Sequence, residues 1–221
     1  MSVSRNELLD AVRNSMFEGD DAEPYPAICN LHDLGADDTH NCLACNFAEL
    51  VETLEGLARD FPKFTDEKTA KITFILWLYL LTERMQELLR LVSFPEEIKS
   101  KKFPNFNLAR RWANFFKHPK AFLLTHHARY DEEPIDDEIV IDDSFINKFY
   151  GGDKHNPQLY ALLTNKANVV VRLPNLVSLT EGLGKELGYL SQVILSNPIY
   201  SEILTNKSVL EDYYSTLAGN A

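Results

Sequence analysis

The stretch TDEKTAKITFILWLYLLTERMQELLRLV, residues 65–92, decides the fold of this 221-residue chain. Thr65 and the two acids after it are residue types that begin helices, and the run 72–81 is apolar at all but one position. Such a run is about half of the roughly 20 residues that span a bilayer. Charged residues return in the last turns of the stretch. We therefore predict a helix from Thr65 to about Val92 whose middle is buried at the centre of a helical bundle.

Weaker patterns on both sides predict further helices and a few strands. Amphipathic spacing and capping residues indicate helices over residues 4–16, 47–60, 107–117, 175–195 and 209–217. The first of these begins at Ser4 or Asn6, Asn46 caps the second, and Pro119 ends the third at His118. Short β-branched or aromatic runs at 122–125, 139–141 and 169–171 indicate strands.

No internal repeat or linker divides the sequence, so we predict one domain over residues 1–221. Its predicted fold class is mainly α: a helical bundle with a small zinc-binding module near the N-terminus and a few short β-strands. We assign a zinc module (27–46), a helical core (47–118), a mixed region (119–172) with an acidic loop (131–143), and C-terminal helices (173–221). Gly184 and Gly188, one helical turn apart, indicate close packing between helices.

The net charge of −11 conceals a strong separation of charge along the chain. Residues 1–97 sum to −11, residues 98–130 to +8, residues 131–143 to −8, and residues 144–221 to zero. The acidic average alone would argue against nucleic acid, but the basic block keeps DNA and RNA open as partners. The acidic block is a solvated loop, a mask for the basic block, or a mimic of nucleic-acid charge toward a basic partner.

Two paired half sites contain every cysteine of the chain: Cys29 with His32, and Cys42 with Cys45. Zinc favours four thiolate or imidazole ligands in a tetrahedron, and ligands two residues apart can bind one ion from a single tight turn. These four residues predict a structural zinc site with no open position for a substrate. His40 is an alternative fourth ligand, and three small hydrophobic thiols are the alternative to a metal.

The basic block combines cations with aromatic rings, as a groove for single-stranded nucleic acid requires. The bases that we predict to contact nucleic acid are Lys99, Lys101, Lys102, Arg110, Arg111, Lys117 and Lys120. Trp112, Phe115 and Phe116 have rings that could stack on nucleobases. Their helical spacing favours the other interpretation, in which they point into the core while the bases form the solvent-exposed face of the helix.

Arg111, Asn114 and His118 stand at i, i+3 and i+7, on one stripe of a helix. Together they could bind a phosphate, orient a ribose and transfer a proton near neutral pH. The segment RWANFFKH, residues 111–118, resembles the motif of HEPN domains, in which four to six residues separate an arginine from a histidine. HEPN domains are helical proteins common in bacterial toxin and antiphage systems, and many are metal-independent ribonucleases.

The HEPN resemblance implies a role for each matching residue. Arg111 would bind phosphate, His118 would be the acid–base residue, and two chains would pair to build the site. The sequence departs from the family at two places. Trp112 occupies the position directly after the arginine, where a polar residue is usual, and Pro119 follows the histidine.

Two functions of different classes are compatible with these features. The first is an accessory or adaptor subunit, stabilised by structural zinc, that docks onto a larger bacterial complex of the defence type containing an ATPase or nuclease subunit. In size and character the chain is similar to small companions of ATPase-driven defence complexes. The second is a HEPN-like ribonuclease or toxin. The charged N-terminus and the absence of a membrane-length apolar run predict a cytoplasmic protein without membrane contact.

Overall fold

The computed structural model describes residues 3–16, 43–118, 127–150, 157–164 and 168–205, together with residues 211, 212, 215, 216 and 218. The helices in these ranges are α1 (Arg5–Met16), α2 (Leu43–Arg59), α3 (Glu67–Leu91), α4 (Glu96–Lys102), α5 (Pro104–Lys117), α6 (Asp143–Phe149), α7 (Pro157–Thr164), α8 (Leu176–Ser196) and α9 (Pro198–Thr205). The strands are β1 (Arg129–Tyr130), β2 (Ile139–Ile141) and β3 (Val169–Val171). The prediction of a mainly helical fold with a few short strands is confirmed.

Two sets of helices share one hydrophobic core. Helix α3 packs between α2 and α5, and α8 packs against α1, α2 and α5. All of these helices contribute side chains that are almost fully buried, among them Leu8, Phe47, Leu50, Leu54, Phe74, Leu78, Leu81, Trp112, Phe115, Leu183, Leu187 and Leu190. Each such side chain contributes about 1.5–3 kcal/mol of transfer free energy when it leaves water. The core therefore forms where apolar faces of separate helices meet.

Helix α3 has the length that the sequence predicts and packs between α2 and α5, but it differs from the prediction in two details. Its N-cap is Asp66, not Thr65, because Oδ1 of Asp66 accepts a hydrogen bond from the amide of Lys68 at 3.0 Å. Its middle is not buried on every side, since Leu80 is 61% exposed. Within the ranges given above, no helix is long and apolar enough to cross a membrane.

The ends of three other helices test the capping predictions. Oγ of Ser4 accepts a hydrogen bond from the amide of Glu7 at 3.2 Å, and Oε2 of Glu7 accepts one from the amide of Ser4 at 2.6 Å. Helix α1 therefore begins with a capping box at Ser4. Helix α2 already begins at Leu43, which places Asn46 inside its first turn and makes the predicted cap wrong. Helix α5 begins three residues earlier than predicted, at Pro104, because proline suits the first helical position. It ends at Lys117, as predicted.

A small parallel sheet forms in the region that the sequence assigns as mixed. Its strand order is β1-β3-β2, and Val170 of the buried central strand lies opposite both Arg129 and Val140. Strands β2 and β3 confirm two of the predicted strands. The third predicted strand, 122–125, lies outside the described residues. Because β2 begins at Ile139, the acidic loop comprises residues 131–138 instead of 131–143.

Four short helices, α4, α6, α7 and α9, were not predicted. Each has seven or eight residues, so it shows only two turns of pattern, too few to separate a period of 3.6 from chance. The long helix predicted at 175–195 is α8, and Oδ1 of Asn175 caps it by accepting from the amide of Ser178 at 3.1 Å. Most of the helix predicted at 209–217 falls among residues that the structure leaves undescribed.

The glycines of α8 only partly follow the predicted packing. A side chain at Gly184 would overlap Ser15 of α1, so this glycine does allow two helices to approach closely. A β-carbon at Gly188 would meet nothing within 4 Å, so the packing role predicted for it is wrong. Gly182 has that role instead, because a side chain there would overlap Asn105 of α5. Helix α8 is therefore held against α1 and α5 at two close contacts.

Candidate functional site

Arg111, Asn114 and His118 lie along the partly exposed side of α5, as their spacing predicts. Nη1 of Arg111 donates a hydrogen bond to Oδ1 of Asn147 on α6 at 2.6 Å. Partial burial lowers the pKa of Arg111, although a guanidinium stays charged at neutral pH. The arginine is thus held in place by a second helix.

His118 stands at the other end of this stripe. It is the C-cap of α5, its backbone is extended (φ −83°, ψ 110°), and its side chain is exposed. It lies seven positions after Arg111, which corresponds to a rise of about 10 Å along the helix axis.

The large aromatic residues of α5 face the core. Trp112, Phe115 and Phe116 are buried and contact one another, with ring centroids 5.2–6.0 Å apart. Nε1 of Trp112 donates to Oδ1 of Asp143 at 2.7 Å, and burial raises the pKa of that carboxyl. The core interpretation of these three residues is confirmed, and they are not available to stack on nucleobases.

Several of the predicted nucleic-acid contacts already have neighbours within the chain. Nζ of Lys99 pairs with Glu96 at 3.0 Å, and Nε of Arg110 lies 3.4 Å from Glu83. The ammonium groups of two other lysines lie over aromatic rings, Lys102 over Tyr189 at 5.0 Å and Lys117 over Tyr79 at 3.4 Å. Lys101 is exposed, and Lys120 falls outside the described residues. The described bases follow α4 and α5 but do not converge on one point.

The acidic loop is bound mainly by cations from other elements. Arg129 pairs with Glu132 and Glu138. The amide of Ile135 and this guanidinium lower the pKa of Glu138 against the effect of burial. Arg172 pairs with Glu133 at 2.6 Å, and Lys71 of α3 with Asp131 at 3.2 Å. Of the described bases in the basic block, only Arg129 takes part in these ion pairs with the acidic loop. These pairs therefore do not support the prediction that the acidic loop covers the rest of the basic block.

Most of the predicted zinc site lies outside the described residues. Cys29, His32 and Cys42, and the alternative ligand His40, all fall in 17–42. Cys45 lies in the first turn of α2 and packs partly against the core. Among the residues that the structure does describe, no three His, Cys, Asp or Glu side chains are grouped so as to hold a metal ion. The zinc site stays a prediction from sequence.

Two polar residues escaped prediction although each bonds α5. Asn147 binds Arg111 from a helix too short to be recognised. Glu186 is only 5% exposed and bonds the N-terminus of α5. A signal for Glu186 was present, because it shares one helical face with Leu179, Leu183 and Leu190, all of which are buried. An acid on an apolar face indicates a buried partner.

Comparison with known proteins gives no match. No family model matches the chain, and neither a curated protein nor a solved structure matches it. The functional conclusion therefore depends on the residues themselves.

Proposed function

We propose that this protein is a zinc-stabilised accessory or adaptor subunit that binds a protein partner in a larger, bacterial, defence-type complex in the cytoplasm. One observation carries the proposal: the central helix of the bundle keeps an apolar surface in contact with water. We call this surface the α3 face; it consists of the exposed Leu80 together with Thr73, Leu76 and Trp77, which are only partly exposed. These residues recur at helical spacing over two turns, and Leu80 is 61% exposed.

The surroundings of the α3 face support an interface. Toward the end of α3 it is bordered by charged residues, of which Arg84 pairs with Glu49 of α2 at 3.0 Å and Glu87 with Arg90 at 2.7 Å. An apolar centre with a polar rim is the usual anatomy of a protein–protein contact. Leucine and tryptophan side chains lose water contact on docking, which contributes about 25 cal/mol per Å² of apolar area.

The basic surface of α4 and α5 fits a secondary role in nucleic-acid association. Its cations are spread along two helices, and the rings of α5 are buried. Such a surface supports contacts to phosphates but not base stacking. Zinc bound by Cys29, His32, Cys42 and Cys45 would cross-link the chain at the start of α2 and stabilise the fold. The partner consistent with this chemistry is an ATPase or nuclease subunit that itself binds DNA or RNA.

Affinity purification from the native host, with and without nuclease treatment, tests the subunit proposal. We expect a stoichiometric protein partner that survives nuclease. Leu80→Glu should abolish its recovery, because a carboxylate in the centre of an interface is costly. Ile199→Glu is the matched control, since Ile199 is 66% exposed on α9. Equal recovery with both variants, or purification of a homodimer alone, would contradict the proposal.

A second candidate function is a HEPN-like, metal-independent ribonuclease. The observation that favours it is the alignment of Arg111, Asn114 and His118 on one accessible side of α5, with Arg111 oriented by Asn147. In this case Arg111 would bind phosphate and His118 would transfer the proton, and a second chain would complete the site. Asn114 would orient the ribose.

RNA cleavage in the presence of EDTA distinguishes the two candidates. If the protein is a ribonuclease, Arg111→Ala and His118→Ala should each lower the cleavage rate at least about a hundredfold, as expected for loss of an acid–base or phosphate-binding group. Lys101→Ala is the control, because Lys101 is an exposed cation outside the stripe. Cleavage that is absent, or unchanged in both variants, rejects this function.

A further inference from the structure

The α3 face lies between two other helices, α2 and α5. Glu83 and Arg84 stand three and four residues after Leu80, on the two borders of the face. Oε1 of Glu83 lies 3.4 Å from Nε of Arg110 on α5. Nη1 of Arg84 donates to Oε1 of Glu49 on α2 at 3.0 Å. The exposed side of α3 therefore has α5 along one border and α2 along the other.

The two bordering helices differ in charge. Helix α5 contains three bases and no acid, whereas α2 contains three acids and one base. Arg110 and Glu49 are paired with α3, and without them α5 still carries a charge of +2 and α2 a charge of −1. Lys117 of α5 is exposed, and its ammonium group lies over Tyr79, the residue before Leu80. From α5 across the α3 face to α2, the surface changes from basic to apolar to acidic.

The α3 face fits a helix better than an extended segment. Its four residues recur at helical spacing and rise by about 10 Å along the axis. The backbone groups of α3 are paired within the helix, so its side offers no hydrogen bonds to an added strand. A segment that docks there has to pair its own backbone groups, as a helix does. Side chains at the same spacing on two helices also interdigitate.

A second copy of this chain fits the α3 face less well than a different helix. Arg84 and Glu87, four and seven residues after Leu80, continue the same side of α3. A two-fold axis along α3 would place each of them opposite its own copy. An axis across α3 would instead place α2 against α2 and α5 against α5. Like charges meet in both arrangements, which disfavours self-association.

We propose that the α3 face binds an amphipathic helix of the protein partner, with acidic residues on the helix edge toward α5 and basic residues on the edge toward α2. The inference rests on the proposed function, which places the partner on the α3 face, and it defines the segment of the partner that docks there. The apolar stripe of that helix packs on Trp77 and Leu80. The charged edges set its direction, because turning the helix end for end exchanges the two edges.

Two synthetic helical peptides test the charge arrangement on the unmodified protein. Both contain about 18 residues, or five turns, with leucines at every third and fourth position. The sorted peptide has glutamates along one edge of the leucine stripe and lysines along the other, and the mixed peptide has the same composition with both charges on each edge. By fluorescence anisotropy at low ionic strength, the sorted peptide should bind about fivefold to tenfold more tightly. Equal affinities, or no saturable binding of either peptide, overturn the proposal.

Charge reversals at the two borders test the assignment of each edge. Lys117→Glu and Glu49→Lys should each weaken binding of the sorted peptide about twofold to fivefold, because one peptide edge then meets like charge. The double variant exchanges the nearest charges of the two borders, so the peptide should bind it more tightly than either single variant and in the opposite direction. Lys148→Glu makes the same charge change as Lys117→Glu at an exposed base of α6, and it should leave the affinity unchanged.

A nitroxide at the N-terminus of the sorted peptide measures its direction. The label broadens the NMR signals at the nearer end of the α3 face, either at Thr73 or beyond Leu80 at Arg84. In the wild type and the double variant it should broaden opposite ends. Single variants that bind as tightly as the wild type, or a double variant weaker than both single variants, contradict the proposal.

Recovery of the partner from the native host separates failure of this inference from failure of the proposed function. A partner whose recovery depends on Leu80 but not on Lys117 or Glu49 leaves the proposed function standing and overturns the charge-matched helix. Recovery that Leu80→Glu does not change contradicts the proposed function itself. A wild-type dimer in light scattering that Leu80→Glu dissociates assigns the α3 face to a second copy and also overturns the inference.

Discussion

Helices α3 and α5 both carry large apolar residues, but the structure leaves one of those of α3 exposed and buries the aromatic residues of α5. From sequence, the middle of α3 is apolar on every side and should be buried, whereas α5 combines bases with aromatic residues and could expose some rings. In the structure, Leu80 of α3 is 61% exposed and Trp112 of α5 is fully buried. The difference lies in the neighbours, since α5 packs against α3, α6 and α8, while the main contacts of α3 are with α2 and α5.

This contrast shows how an exposed apolar residue acquires functional meaning. A hydrophobic pattern identifies which residues can be buried, but the number of elements that surround a helix decides which ones are buried. The residues of α3 that remain uncovered are therefore candidates for a partner, and the rings of α5 are not. The variants below test this contrast, from the largest expected effect to the smallest.

Trp112→Ala should cause the largest loss of stability. The substitution removes a fully buried ring and leaves Asp143 without its indole donor. We expect the free energy of unfolding in urea to fall by about 3–5 kcal/mol. Trp112→Phe, which keeps most of the apolar contact, should cost less. A loss below about 1 kcal/mol in Trp112→Ala would mean that this side of α5 is not packed as described.

Two leucines of α3 provide a matched pair. Leu78 is fully buried and Leu80 is exposed, so Leu78→Ala should lower the free energy of unfolding by about 2–5 kcal/mol. Leu80→Ala should change it by no more than about 0.5 kcal/mol. Equal losses in the two variants would show that the α3 face is covered within the protein, and would remove the main support for a partner there.

Two glycines of α8 provide a second pair. Gly182→Ala should destabilise the protein by about 1–3 kcal/mol, because its methyl group would overlap Asn105. Gly188→Ala meets no neighbour and should stabilise the helix by up to about 1 kcal/mol. Thermal unfolding measures both. If Gly182→Ala is neutral, the Asn105 side chain moves away from the methyl group at little cost, and the expected loss is contradicted.

Arg84→Ala should have the smallest effect. Arg84 and Glu49 form an ion pair beside the α3 face, and their side chains are 52% and 58% exposed. Exposed pairs contribute about 0.2–1 kcal/mol, and salt screens them further. We expect a change of about 0.5 kcal/mol at low salt, less at about 0.5 M NaCl. A loss above about 2 kcal/mol would show that the rim of this face is held more rigidly than an exposed pair allows.

The sequence predicted more of the fold than of the site. Long elements such as α3 and α8 display enough turns for their periodicity to be recognised, and Pro119 in the sequence predicts that α5 ends before it. Short elements such as α6 do not, and so the contact of Asn147 with Arg111 could not be anticipated. The stripe of Arg111, Asn114 and His118 followed from spacing alone, because residues three, four and seven apart share one side of any helix.

By itself the sequence determined that this protein is mainly helical, that one long helix covers most of residues 65–92, and that cations accumulate within residues 98–130, because these properties depend on composition, local propensity and periodicity. Only the tertiary structure decided that Leu80 is exposed, that Glu186 caps α5, and that α8 approaches α5 closely at Gly182 but has no close neighbour at Gly188. Each of these features depends on contacts between elements that are far apart in the sequence, and a local sequence pattern contains no information about such contacts.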